Sequence, residues 1–125
     1  MKIGVVGGGQ LGQMMALDCL PLGLSFEFLD PAKDACASLV GEQIVANYDD
    51  EQAIKTLINH ADRVTFEFES VPPATVAQIA EQRPVFPSAK ALEIARDRLF
   101  EKNMFQGLGI ATAPFYNVLS QQDLD

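Results

Sequence analysis

Three clusters of residues have the types and spacing to do chemistry. The first is Gly7-Gly8-Gly9-Gln10-Leu11-Gly12, which satisfies GxGxxG at Gly7, Gly9 and Gly12. Gly7 permits a tight turn, Gly9 lets the backbone approach a ligand closely, and Gly12 lets the following helix pack closely. Free amides at the start of that helix favour an anion such as a phosphate. Glycines that only shape a strand-to-helix turn are the plain alternative. The second cluster is Thr65-Phe66-Glu67-Phe68-Glu69-Ser70, with two carboxylates two residues apart. On a strand both point to the same side, where they could accept from an amine or hydroxyl of a ligand held by the glycine turn. Alternatively, one of them caps a helix beginning near Pro72. The third is Arg96-Asp97-Arg98-Leu99-Phe100-Glu101-Lys102, a local concentration of cations in a chain with 9 Lys and Arg against 17 Asp and Glu. It invites a phosphate, or it is a solvated helix face with Asp97–Glu101 and Arg98–Lys102 at i,i+4 spacing. Asp30, ahead of Pro31, either meets a ribose hydroxyl as in dinucleotide binders or simply forms a turn.

The elements that must position these residues follow from apolar periodicity. Lys2 to Val6 is a short apolar run that ends in glycines, and Gln10 to Leu20 carries Leu11, Met14, Met15 and Leu17 at helical spacing. Apolar runs recur at Leu24 to Leu29 and Gln43 to Ala46. Asp49 or Asp50 then caps a helix that ends near Asn59. Arg63 to Phe68 reads as a strand, Val71-Pro72-Pro73 opens a helix with Val76, Ile79 and Ala80 inward, and Pro84 to Pro87 leaves room for a short last strand. Ser88 caps Ala89 to Ala95, with Leu92 and Ile94 available for packing. Alternating strands and helices with largely non-alternating apolar strands predict an α/β, Rossmann-like parallel sheet with helices on both faces. The glycine turn and the Glu67 end of the fourth strand then share the carboxyl edge, where open parallel sheets bind ligands. Residues 1–109 form this domain, and 110–125 form a connector that starts another helix at Ser120.

Composition removes several classes of function. The chain has 125 residues and 48% hydrophobic content, enough for one domain with a core, and a formal charge of −8 argues against nucleic acid as a partner. The apolar runs fall short of the roughly 20 residues of a membrane-spanning helix, and MKIGVVGGG lacks the pattern of a signal peptide, so a cytoplasmic protein is expected. Cys19 and Cys36 make neither a zinc site nor a disulfide framework. His60 is the single histidine, which leaves no material for a histidine metal site or a Ser-His-Asp relay; it reads as a charge partner at a helix C-terminus. Met14, Met15, Met104 and Phe105 read as core or interdomain packing.

The phrases GGGQLGQMMA, PLG, LDP, VANYDD, TFEFESVP, FPSAKALEIARDRLFEK and LGIATAPF, in this order and spacing, resemble the N-terminal preATP-grasp domain of the 5-(carboxyamino)imidazole ribonucleotide synthase family, within the ATP-grasp superfamily. The resemblance spans nearly the whole chain. It implies a ligase that uses ATP and Mg²⁺ to activate bicarbonate and carboxylates the exocyclic amine of 5-aminoimidazole ribonucleotide. It assigns ribonucleotide binding to Gln10, Leu11 and Glu67, beside Gly9 of the turn, with Glu69 as a second choice. It also matches Arg98 to an ATP-phosphate arginine, while Arg96 and Lys102 remain surface residues. Asp30 loses its cofactor role, and the glycine turn would hold the ribonucleotide phosphate or its surroundings. No catalytic residue and no metal ligand is expected here, because the groups that hold adenine, Mg²⁺ and triphosphate belong to ATP-grasp domains beyond Asp125. Sister ATP-grasp enzymes, a regulatory NAD-sensing Rossmann module and a purely structural domain are the competing readings. The apolar content is compatible with a homodimer interface.

Overall fold

The computed structural model describes residues 1–124. Four strands, β1 (Lys2–Val6), β2 (Ser25–Asp30), β3 (Glu42–Val45) and β4 (Arg63–Phe66), form one parallel sheet in the order β3-β2-β1-β4. Helix α1 (Gln10–Cys19) leads from β1 to β2, and α2 (Glu51–His60) leads from β3 to β4. α3 (Pro73–Ala80), α4 (Ala89–Ala95) and α5 (Arg98–Gly107) follow. Starting in the centre, the chain winds to one side through β2 and β3 and then crosses to the other side of β1. The switch in winding direction therefore falls between β1 and β4, and there the connections leave a crevice at the carboxyl edge.

Strand alternation divides the core in two. Val5, Phe26 and Phe28 face α1 and pack with Ala16 and Ala37, whereas Val6, Leu29 and Val64 face the other way and pack with Ile54, Leu57, Val76, Ile79 and Leu92. Both faces are thus covered, as the apolar runs predict. Phe28, Leu29, Leu57 and Ile79 are fully buried, each worth about 1.5–3 kcal/mol of transfer free energy. α2 starts where the Asp50 carboxylate accepts from the Ala53 amide at 2.8 Å, and α4 where the Ser88 hydroxyl accepts from the Ala91 amide at 3.2 Å.

Some expectations shift. On α3, Thr75 rather than Ala80 is buried beside Val76 and Ile79, because the helix begins at Pro73 and its inner stripe follows from there. The short last strand shrinks to one parallel bridge, Val64 to Val85, with two ladder bonds, Val64 amide to Pro84 carbonyl at 2.9 Å and Phe86 amide to Val64 carbonyl at 3.1 Å. Prolines at 84 and 87 stop the ladder on either side. The cationic run is not one helix face. Asp97 takes extended backbone and its carboxylate accepts from the Leu99 and Phe100 amides at 2.8 and 3.1 Å, so α4 ends and α5 begins. Asp97 thereby becomes a cap, and Arg98 pairs with Glu101 at i,i+3. Met14 is exposed, while Met15 packs on the α1 face of the core. After α5, Ser120 opens only a 3₁₀ turn, Gln121–Asp123. Asp123 accepts from the Leu119 and Ser120 amides and the Ser120 hydroxyl at 2.8–3.0 Å, which holds its carboxyl below the ordinary value.

At the amino edge of the sheet, opposite the crevice, the buried carboxylate of Glu27 meets Nδ1 of His60 at 3.0 Å. The last turn of α2 thus places the single histidine on a carboxylate that would otherwise be buried without a partner. Nearby, Lys2 Nζ donates to Glu42 at 2.9 Å; this rim pair is open to water and contributes little. Replacing His60 by Ala leaves Glu27 unsatisfied and lowers stability by about 1–3 kcal/mol. Glu27→Gln, which removes the buried charge, costs less. Urea midpoints of the two variants test this, and an unchanged midpoint for His60→Ala would show that the pair contributes nothing.

Candidate functional site

At the carboxyl edge two carboxylates reach onto the glycine turn from the strands flanking β1. The ladders run one residue past each strand: the Gly7 amide donates to the Leu29 carbonyl at 2.9 Å and the Glu67 amide to the Val6 carbonyl at 3.0 Å. Register therefore brings the ends of β2 and β4 level with the turn. Gly7 has φ +108°, a conformation that suits only glycine, and turns the chain out of β1.

Glu67 takes the helix start. Its carboxylate accepts from the Gly9 amide at 2.5 Å and from the Leu11 amide at 3.2 Å. A Cβ on Gly9 would run into that carboxylate, which is why position 9 lacks one. Negative charge at the N-terminus of α1 is favourable by about 0.3–2 kcal/mol. Asp30 holds the other side of the turn. Its Oδ2 accepts from the Gly8 amide at 2.8 Å and from the Tyr48 hydroxyl at 2.9 Å, and its Oδ1 accepts from the Ala32 amide at 2.8 Å. From the α1 side, the Gly8 carbonyl accepts from the Ala37 amide at 2.9 Å, and the Cys36 thiol lies 3.8 Å from the same oxygen.

These bonds correct two expectations. The turn does not keep the Gly9 and Leu11 amides free for a phosphate, because Glu67 already supplies the anion there and its charge repels another. Asp30 lies against the turn itself, with three donors on its carboxylate, and is not presented to a ribose hydroxyl as a dinucleotide site requires. Nor does either carboxylate of the Glu67–Glu69 pair cap α3, whose N-cap is Pro72 with no side-chain bond. The structure brings Gly9, Gln10, Leu11 and Glu67 together. Glu69 is exposed on the turn that follows, where it lines a cleft of about 270 Å³ with Phe66, Glu67, Phe68, Pro87 and Ala91. Strand β4 ends at Phe66, so the two carboxylates do not share a strand face as expected. Arg98 is on α5, exposed and paired with Glu101, and Lys102 places its ammonium 5.3 Å from the Phe115 ring centre. Arg96 is exposed at the end of α4.

Tyr48 was missed in the sequence, where Asn47-Tyr48-Asp49-Asp50 reads only as a polar segment ahead of a helix cap. Besides its bond to Asp30, its ring meets Phe68 edge-on with centroids 5.6 Å apart, and its carbonyl accepts from the Thr75 hydroxyl at 2.9 Å. Burial raises the phenol well above its ordinary value, and the Asp30 carboxylate adds to the shift. Chemically, the site offers a fixed carboxylate. Two of the roughly four lone-pair directions of Glu67 are used by amides, and the others remain for a donor on a ligand. Among the described residues, no group of three or more His, Cys, Asp and Glu side chains could hold a metal ion.

Residues 1–96 match the family described as the ribonucleotide synthetase preATP-grasp domain. The chain belongs to that family. It is 58% identical over 125 residues to an N5-carboxyaminoimidazole ribonucleotide synthase of Pseudomonas aeruginosa, covering 100% of this chain and 35% of that protein. The crystal structure of N5-carboxyaminoimidazole ribonucleotide synthetase from Thermus thermophilus is similar at TM-score 0.91 and 51% identity, over 98% of this chain and 34% of that one. A second solved structure, the N5-carboxyaminoimidazole synthase of Aspergillus clavatus in complex with ADP and 5-aminoimidazole ribonucleotide, is similar at TM-score 0.80 and 27% identity, over 90% of this chain and 31% of that one. The chain spans about a third of the length of these relatives. The Rossmann-like parallel sheet expected from the residues, and the preATP-grasp fold that the resemblance implies, are thus the fold observed.

Two measurements test the construction of the site. Gly9→Ala expels the Glu67 carboxylate from the helix start and lowers stability by about 1–2 kcal/mol, read from thermal unfolding. The raised Tyr48 phenol makes the folded state hold a proton that the unfolded chain releases near pH 10. Its stabilising share is full below that pH and declines as pH rises above it. Denaturant unfolding from about pH 9 to 11 should show this slope in the wild type and lose this share of it in Tyr48→Phe.

Proposed function

We propose that this chain is the ribonucleotide-binding domain of an ATP-dependent ligase of purine biosynthesis. The complete enzyme carboxylates 5-aminoimidazole ribonucleotide with bicarbonate to N5-carboxyaminoimidazole ribonucleotide, giving ADP and phosphate. The observation that carries the reading is the Glu67 carboxylate, pinned to the glycine turn at the switch point with acceptor capacity left over. The names of the relatives, and the ribonucleotide in the Aspergillus clavatus complex, support the choice of substrate.

In this reading Glu67 accepts from a donor on the ribonucleotide, an amine or a ribose hydroxyl, and Gly9, Gln10 and Leu11 form the wall beside it. Glu69 provides a second carboxylate at the rim of the cleft. A pinned carboxylate suits such a donor and disfavours the ribonucleotide phosphate, which must be held elsewhere. Among the described residues no cluster offers a site for Mg²⁺, and Arg98, whose exposed i,i+3 pair with Glu101 is a weak one, is the residue we assign to an ATP phosphate. The other ligands of ATP, and those of Mg²⁺, belong with the ATP-grasp domains of the complete polypeptide. Residues 1–109 then act as the preATP-grasp unit and 110–125 as the connector.

No helix of the described residues is long and apolar enough to cross a membrane, which is compatible with a cytoplasmic enzyme. The exposed Leu11 and Met14 on α1 are available to the remaining domains or to a homodimer partner.

Calorimetric titration with 5-aminoimidazole ribonucleotide, of this chain and of the complete enzyme, tests the proposal. The complete enzyme should bind, and Glu67→Gln should weaken binding about tenfold or more, equivalent to ~1.4 kcal/mol for a lost charge-assisted contact. Undiminished binding in Glu67→Gln would move the substrate off this carboxylate and leave the domain a structural partner.

A further inference from the structure

One side chain outside the glycine turn and the β4 end touches the supports of both. The Tyr48 hydroxyl donates to Asp30 Oδ2, the same oxygen that accepts from the Gly8 amide. Gly8 is bonded covalently to Gly9, whose amide donates to Glu67. The Tyr48 ring, meanwhile, stacks edge-on against Phe68, the residue next to Glu67. A polar route through Asp30 and the turn, and an apolar route through Phe68, thus run from Tyr48 to the two sides of one carboxylate. Tyr48 is itself held in place, because the Thr75 hydroxyl at the start of α3 bonds its carbonyl.

We propose that Tyr48 is the positioning residue that sets the place of Glu67 for ribonucleotide binding. The inference rests on the substrate reading above and goes beyond it by assigning a role to a residue in the β3-to-α2 connection. Asp30 is nearly buried and ionised oxygens there need donors; the phenol supplies one that the backbone does not. Without it, Asp30 keeps the Gly8 and Ala32 amides but loses the side-chain donor that fixes Oδ2 from the β3-to-α2 connection, and the turn that presents the Gly9 amide is held less firmly. Glu67 then keeps its charge but not its location, and a carboxylate misplaced by about 1 Å binds an oriented donor poorly. A phenol is a donor across the working pH range, and burial and the Asp30 carboxylate hold its proton more firmly still.

The test uses the complete enzyme. Tyr48→Phe keeps the ring against Phe68 and deletes only the hydroxyl, so the variant folds. It should raise KM for 5-aminoimidazole ribonucleotide about three- to tenfold, with KM for ATP unchanged and kcat within about twofold. Tyr48→Leu, which cuts both routes, should raise it further. Because Tyr48 acts through Glu67, adding Tyr48→Phe to Glu67→Gln should give no further increase, whereas a merely structural role would be additive. If Glu67→Gln raises the ribonucleotide KM and Tyr48→Phe does not, or if Tyr48→Phe raises both KM values together, the positioning role is overturned while the substrate reading stands. If Glu67→Gln itself has no effect, the substrate reading fails first.

Discussion

The carboxyl edge of this domain depends on where two negative charges go. Asp30 and Glu67 end or follow the strands on either side of β1, and both carboxylates turn inward onto the glycine amides between them. Left unpaired, either would carry a desolvation penalty of about 1–3 kcal/mol or more. Paired, they convert a run of glycines, the residues with most conformational freedom to lose, into a fixed turn. The amide groups that a turn of this type usually turns toward a ligand are here part of the protein's own bonding. What faces the crevice is the far side of Glu67.

The opposite edge solves the same problem differently. Glu27 points into the α2 face of the sheet, and there is no turn amide to receive it; the last residue of α2 does so instead. Neither pair needs a metal, a cofactor or a disulfide. Both let an acidic chain bury carboxylates while its apolar residues fill the two faces of a sheet only four strands wide.

Much of this was legible in the residues. Periodicity and caps located the four strands and nearly all the helices, because each of those signals acts within a few positions along the chain. Gly7, Gly9, Glu67 and the shared edge were legible too, since a parallel sheet puts the carboxyl ends of all its strands on one edge. The direction of the bonding was not. A bond from the Gly9 amide to Glu67 spans 58 residues, and only the β1–β4 register decides that the carboxylate reaches the amide rather than solvent. For the same reason the residues alone left Asp30 between a ribose contact and a turn former. Tyr48 left one faint signal, a single aromatic residue in an otherwise polar loop just past a strand end, where a ring has to find cover. The break at Asp97 was hidden inside a run of charged residues that reads as one solvated helix face, whereas its carboxylate satisfies two amides at once and starts a new helix.

The inward-facing carboxylates also constrain what the domain can select. A free glycine turn recognises a phosphate and is largely indifferent to what the phosphate is attached to. A turn already neutralised by Glu67 reverses that preference: a second anion meets repulsion, and a neutral or cationic donor meets an acceptor with a fixed direction. With Glu69 exposed beside it and the local cations on α5 engaged by Glu101 and the Phe115 ring, the described surface around the crevice is acidic. Such a surface reads the donor end of a small molecule. A phosphate on the same molecule meets no lysine or arginine among the residues lining this cleft. That preference follows directly from glycine-turn amides that are already bonded to a glutamate.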